Sequence, residues 1–284
     1  MSGRPLETPV FMLAADHRWQ FEEWCDSRGV GRARIPEAKA VIVEGFLRAR
    51  ERSAAVRASG ALLIDEQYAS GQVAAARAAG VSVGTPAERS GVFPLQWAGD
   101  PMDRMLTGTF VKVLVRHRPD YADDFVQPQL ARLRELAAWC DRHAQPLVLE
   151  VVVPRAGEPE EFFETEGRAP IVADYVRQAY AHGIVPAYWK MEGTTSAAAA
   201  AVVDEAIAVR EGPRFLVLGK GAGFELVERW FAIATGMRTA AGFAVGRTIY
   251  MEPVSAWLTG RLSREDAVAQ VADRYLRLVA AWVG

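Results

Sequence analysis

Short runs of apolar residues recur along the chain, and longer stretches with apolar positions at helical spacing separate them. Eight runs read as strands: 10–15, 61–65, 81–83, 110–115, 147–153, 185–190, 215–219 and 242–246. Most are continuous rather than alternating, the pattern of strands buried on both faces. Between them, helical periodicity predicts helices over 35–58, 71–79, 123–143, 169–182, 196–210, 222–235 and 263–283. Pro36 suits a first turn, Ser196 and Ser263 suit N-caps, and Gly80 and Gly183 suit helix ends. Strand–helix alternation repeated eight times predicts an α/β fold, a single (β/α)8 TIM barrel over residues 1–284. An open doubly wound sheet is the alternative, but no Gly-x-Gly-x-x-Gly follows an early strand. The third run is the shortest. The Glu- and Gly-rich stretch 155–168 reads as a loop after the fifth strand.

Bulk properties narrow the function classes. One such barrel takes about 250 residues, and the chain has 284. Half the residues are hydrophobic, which argues against disorder. Lys and Arg number 33, Asp and Glu 35, and no basic stripe stands out, so no nucleic-acid partner is expected. No apolar run reaches 18 residues and no signal peptide is apparent, so no membrane partner and a cytoplasmic location are expected. Cys25 and Cys140 lack ligand or redox spacing and read as buried reduced thiols. The four histidines, His17, His117, His143 and His182, form no pair at zinc-ligand spacing. His143 and His182 read as exposed. No metal and no cofactor are expected. Homo-oligomerisation stays open, since Trp230, Trp257 and Trp282 suit an interface and a buried helix face equally.

The chemistry lies where polar residues interrupt the apolar runs. Lys190 ends the sixth strand, between Trp189 and Met191; Lys112 sits inside the fourth and Glu150 inside the fifth. Ionised groups in such positions are costly unless paired or used. In a barrel, the strand C-termini converge on one active-site face. The first strand runs into Asp16, His17 and Arg18, and the second into Asp65. Burial and a neighbouring positive charge both favour the uncharged form of an amine, which attacks carbonyls. Lys190 is therefore the candidate Schiff-base lysine, with Lys112 as the neighbouring charge. Glu150 and Asp65 are the proton-transfer candidates. Asp16 is the candidate to orient the nucleophile, bind a substrate hydroxyl or hold Arg18. Gly219, Lys220 and Gly221 after the seventh strand, and Gly246 and Arg247 after the eighth, suit a phosphate cradle. His17 and Arg18 complete the candidate substrate-binding set.

These motifs resemble a class I aldolase-like barrel family. Its members occur fused to 5-dehydro-2-deoxygluconokinase in bacterial myo-inositol catabolism, and it is similar in turn to tagatose-bisphosphate aldolases. The resemblance runs over nearly the whole chain. It rests on Leu13-Ala14-Ala15-Asp16-His17-Arg18, Leu62-Leu63-Ile64-Asp65-Glu66, Val111-Lys112-Val113, Leu149-Glu150-Val151, Trp189-Lys190-Met191-Glu192 and Gly242-Phe243-Ala244-Val245-Gly246-Arg247-Thr248. It implies an imine on Lys190, with Lys112, Glu150, Asp65 and Asp16 around it and Arg247 on a phosphate. It implies retro-aldol cleavage of a phosphorylated keto sugar acid, 6-phospho-5-dehydro-2-deoxygluconate, to dihydroxyacetone phosphate and malonate semialdehyde. Other ketose phosphates and a silent sugar-phosphate-binding barrel are the alternatives. Two motifs depart from the family. Gly219-Lys220-Gly221-Ala222-Gly223 stands for Gly-Leu-Asp-Ala-Pro, and Pro186-Ala187-Tyr188-Trp189 for Pro-Asp-Trp-Trp. The 284 residues hold no kinase half.

Overall fold

The computed structural model describes residues 9–99 and 108–284. Eight parallel strands close into a barrel in chain order. They are β1 Val10–Ala15, β2 Gly60–Ile64, β3 Ser82–Pro86, β4 Phe110–Arg116, β5 Leu147–Val152, β6 Tyr188–Glu192, β7 Arg214–Leu218 and β8 Ala240–Val245. The (β/α)8 fold read from the sequence is the fold observed, and every predicted run forms a strand. The sixth shifts most, from 185–190 to Tyr188–Glu192. Pro186 lies in the displaced part, and its missing N–H cannot join a ladder. The third extends through Gly84, Thr85 and Pro86, which pair with Phe110, Val111 and Lys112.

Side chains alternate between two cores, as strand geometry requires. Val10, Met12, Leu63, Val148, Tyr188 and Leu216 fill the barrel interior. Phe110 fills the space that Gly84 leaves, where a Cβ would lie 1.9 Å from its ring. The intervening residues, such as Leu62, Val113, Leu149 and Val217, face the surrounding helices in the larger core.

The helices are α1 Trp19–Arg28, α2 Ile35–Arg52, α3 Ala54–Ser59, α4 Glu66–Ala78, α5 Asp123–Arg142, α6 Arg168–Ala181, α7 Ala197–Ile207, α8 Phe224–Ala234, α9 Arg247–Leu258 and α10 Arg264–Val283. The predicted helix 35–58 is broken at Ser53, whose hydroxyl accepts from Val56 N–H and caps α3. Helices α1 and α9 fall where the sequence predicted none. The stretch read as a loop is partly helical: Glu160–Phe162 forms one turn and Phe163–Gly167 a wider one that runs into α6.

Cys25 and Cys140 are free and buried, as expected. His143 and His182 are exposed, also as expected. Trp230, Trp257 and Trp282 all pack within the chain: Trp230 is buried, Trp282 meets Phe231 edge-on, and Trp257 lies beneath Arg34. Among the described residues, no helix is long and apolar enough to cross a membrane.

Candidate active site

The parity of each strand decides what reaches the barrel mouth. On β4, Lys112, Leu114 and Arg116 face inward; on β5, Glu150 and Val152; on β6, Lys190 and Glu192. In register, Glu150 lies directly between Leu114 of β4 and Lys190 of β6. These residues, with Asp16, His17 and Arg18 after β1, line a cavity of about 220 Å3 at the strand C-termini.

One carboxylate joins the two lysines. Glu150 Oε2 lies 2.9 Å from Lys190 Nζ and 2.9 Å from Lys112 Nζ. Lys112 also contacts Asp16 Oδ2 at 2.8 Å and Glu88 Oε1 at 2.9 Å. Burial works against charge on Lys112, but Asp16, Glu150 and Glu88 outweigh it and hold the amine well above its usual range. Lys112 is thus a fixed cation. Burial likewise opposes ionisation of Asp16 and Glu150, and Lys112 and Lys190 overcome it, keeping both carboxyls below their usual range. Lys190 has Glu150 as its one ion-pair partner among the described residues.

Glu88 was not anticipated. It lies just beyond β3, takes Arg18 Nη2 at 3.3 Å and accepts from Leu114 N–H at 3.2 Å. Asp16, Glu88 and Glu150 thereby balance Lys112, Lys190 and Arg18.

Asp65 is not part of this cluster, contrary to the sequence expectation. The chain turns away after Ile64, and Asp65 caps α4 by accepting from Tyr68 N–H at 2.9 Å. Its other oxygen lies 2.7 Å from Lys39 Nζ of α2, and both side chains are sealed from solvent. Lys39 also donates to the carbonyls of Ala15 and His17, the backbone on either side of Asp16. The pair holds the β1 end in place from behind.

The anion-binding candidates meet at β7 and β8. Lys220 and Gly221 both adopt left-handed backbone conformations, with φ of 52° and 80°; the first is uncommon for a residue with a side chain. A Cβ on Gly246 would lie 1.9 Å from the Ala14 carbonyl, so only glycine lets β8 turn into α9 beside β1. A Cβ on Gly219 would meet Val245 at 2.7 Å. Arg247 opens α9 and donates to the Lys220 carbonyl at 3.0 Å, while its Nε is buried without a hydrogen-bond partner among the described residues. His17 faces Tyr250 Oη through Nδ1 at 2.9 Å. Burial, assisted by Arg247, drives its imidazole down to about 3, so the ring is neutral at physiological pH. Lys220 reaches across the mouth to Glu192 at 2.9 Å and Glu164 at 3.0 Å. Arg168 meets Glu192 from the other side, also at 2.9 Å.

The structure therefore brings Lys190, Glu150, Lys112, Asp16, Arg18, His17, Lys220 and Arg247 around one cavity. The family model described as "Uncharacterized protein conserved in bacteria (DUF2090)" matches residues 3–284, and the chain belongs to that family. A comparison with curated proteins finds no match.

Proposed function

We propose that this DUF2090 barrel is a class I aldolase that cleaves a phosphorylated keto sugar acid. One observation carries it: the amine of Lys190 shares a carboxylate oxygen with a fixed ammonium inside a cavity of substrate size. Lys190 delivers a proton to Glu150 and attacks the substrate ketone; Glu150 returns that proton to the departing hydroxyl, so that loss of water leaves an iminium ion and a carboxylate ready to act as base. Glu150 then takes the proton from the hydroxyl β to that carbon. The carbon–carbon bond breaks, its electrons collapse into the iminium, and an aldehyde departs. Protonation and hydrolysis of the enamine release the second product and the free amine.

Lys112 supports this chemistry as a permanent positive charge that positions Glu150 and oxygen atoms of the substrate. Asp16 and Glu88 fix Lys112. The phosphate is proposed to lie at the start of α9, where a short extra helix after the eighth strand presents its N-terminus. Arg247 Nε and Lys220 supply the charged donors there. The best substrate is 6-phospho-5-dehydro-2-deoxygluconate, with imine formation at C5 and cleavage between C3 and C4.

Borohydride trapping with dihydroxyacetone phosphate, followed by peptide mass mapping, tests the proposal. A reduced adduct on Lys190 is the expected result. An adduct on Lys112 would reverse the lysine roles. Binding of the ketose phosphate without any adduct would leave a silent sugar-phosphate-binding barrel.

A further inference from the structure

Two ends of the cavity are positively charged, and only one is accounted for by a phosphate at α9. The second lies at the end of β4, where Arg116 is the last inward-facing residue after Lys112 and Leu114. In a closed ring of eight strands, β4 stands opposite β8. Lys190, on β6, therefore falls midway round the ring between Arg116 and Arg247.

Arg116 is fixed in place, yet its guanidinium edge is not taken up by an ion pair among the described residues. Its guanidinium stacks 4.1 Å over the ring of Phe93. It has no ion pair among the described residues, whereas every other cation lining the cavity, apart from Arg89 and Arg247, has one. Its backbone is fixed, since its carbonyl accepts from Gln129 Nε2 at 3.0 Å and its strand pairs with Val152. Stacking on an aromatic face leaves the edge of a guanidinium, with its paired N–H groups, free for a planar oxyanion.

The geometry points to Arg116 as the residue that reads a carboxylate on the substrate fragment remote from the phosphate. The inference builds on the aldolase reading of this cavity and names the residue that reads the acid end of the proposed substrate. One guanidinium edge matches one carboxylate. The opposite end, with Arg247, Lys220 and a helix N-terminus, suits the higher charge of a phosphate.

Unreactive ligands separate recognition from chemistry. Calorimetric titration compares 6-phosphogluconate, sorbitol 6-phosphate and a hexitol 1,6-bisphosphate, none of which has a free ketone to form an imine. The wild-type protein is expected to bind 6-phosphogluconate roughly 10–100-fold more tightly than sorbitol 6-phosphate, the range of one charge-assisted contact. Arg116→Gln should bring the two within about threefold, by loss of affinity for 6-phosphogluconate alone. Phe93→Leu should give an intermediate loss. Equal wild-type affinities, or a preference that survives Arg116→Gln, would overturn the inference. Tightest binding of the bisphosphate, lost in Arg116→Gln, would also overturn it and assign a second phosphate. The two proposals fail separately. Borohydride labelling of Lys190 without a carboxylate preference removes this assignment and the acid substrate but leaves the class I chemistry, and the preference without labelling removes only the aldolase.

Discussion

Three buried lysines hold carboxylates in this molecule, and two of them, Lys39 and Lys190, differ most in what their amines can reach. Lys39 is sealed behind β1 and β2, with Asp65 and two backbone carbonyls as partners and its side chain closed off from solvent. Lys190 is nearly as buried, but its amine opens into the barrel mouth, and its carboxylate is shared with Lys112. On the aldolase proposal, burial of an amine is thus not what marks the reactive lysine. Access and a redundant counter-ion are. Glu150 keeps Lys112 if Lys190 is consumed by an imine, whereas Asp65 has no second cation among the described residues if Lys39 is lost. One pair is arranged to survive loss of its charge and the other is not.

Replacing Lys190 with Met gives the largest expected effect. Turnover of the phosphorylated keto acid should fall by at least about 10^4-fold, the scale of losing a covalent nucleophile. Borohydride labelling should vanish. The midpoint of denaturant unfolding should move little, because Glu150 retains an ion pair. Residual turnover above that limit in protein free of contaminating aldolase would remove Lys190 from the mechanism.

Lys39→Met should do the opposite. It leaves a buried carboxylate without its cation, which costs about 3–5 kcal/mol. The double variant Lys39→Met with Asp65→Asn should recover much of that loss, since Asn still caps α4. Denaturant titration of the single and double variants checks both. A single variant as stable as wild type would make the two lysine sites equivalent after all.

The same contrast explains what the sequence disclosed and what it hid. Eight strands were legible because continuous apolar runs have few other uses in a chain of this composition. Lys112, Glu150 and Lys190 were legible because a charge inside such a run is anomalous. Asp65 carries much the same signature as Glu150, a carboxylate belonging to an apolar run. Only the turn after Ile64, which swings it onto α4, separates them. Lys39 hides because a lysine on a long amphipathic helix is ordinarily a surface residue. Glu88 hides because Gly84, Thr85 and Pro86 do not look like a strand, so the apolar run 81–83 stops short of the end of β3. Helix α9 follows β8 with a single intervening glycine and buries much of its surface, leaving neither a loop nor a clear polar face to mark it.

The pH dependence of stability sharpens the comparison at His17, a partly buried group that lines the same cavity. His17 stays neutral down to about pH 3, against 6.5 for an unperturbed imidazole. Between those values the unfolded chain binds a proton that the folded chain refuses, so stability falls as pH falls. The carboxyls of Asp16 and Glu150 contribute in the same direction only below their unfolded values near 4. A loss of about 2 kcal/mol between pH 6.5 and 4.5 therefore belongs mainly to His17. His117, which burial also shifts downward, adds to it. Unfolding of His17→Asn across that interval should show a shallower slope, and an unchanged slope would assign the effect to His117 or elsewhere.

Lys220 should show the smallest effect, because its ion pairs bridge the mouth without being sealed from water. About half its side chain is exposed, so removing its contacts to Glu164 and Glu192 should cost under about 1 kcal/mol of stability. Arg168 still neutralises Glu192 in its absence. Its left-handed backbone matters more than its charge for the loop, so Lys220→Gly should be at least as stable as Lys220→Ala. If the amine does meet a phosphate, both variants should raise KM several-fold and leave kcat nearly unchanged, the signature of binding made equally in ground and transition states. A fall in kcat of the same size would instead place Lys220 beside the reacting carbons, and the separation between the phosphate end and the Lys190 end of the cavity would have to be redrawn.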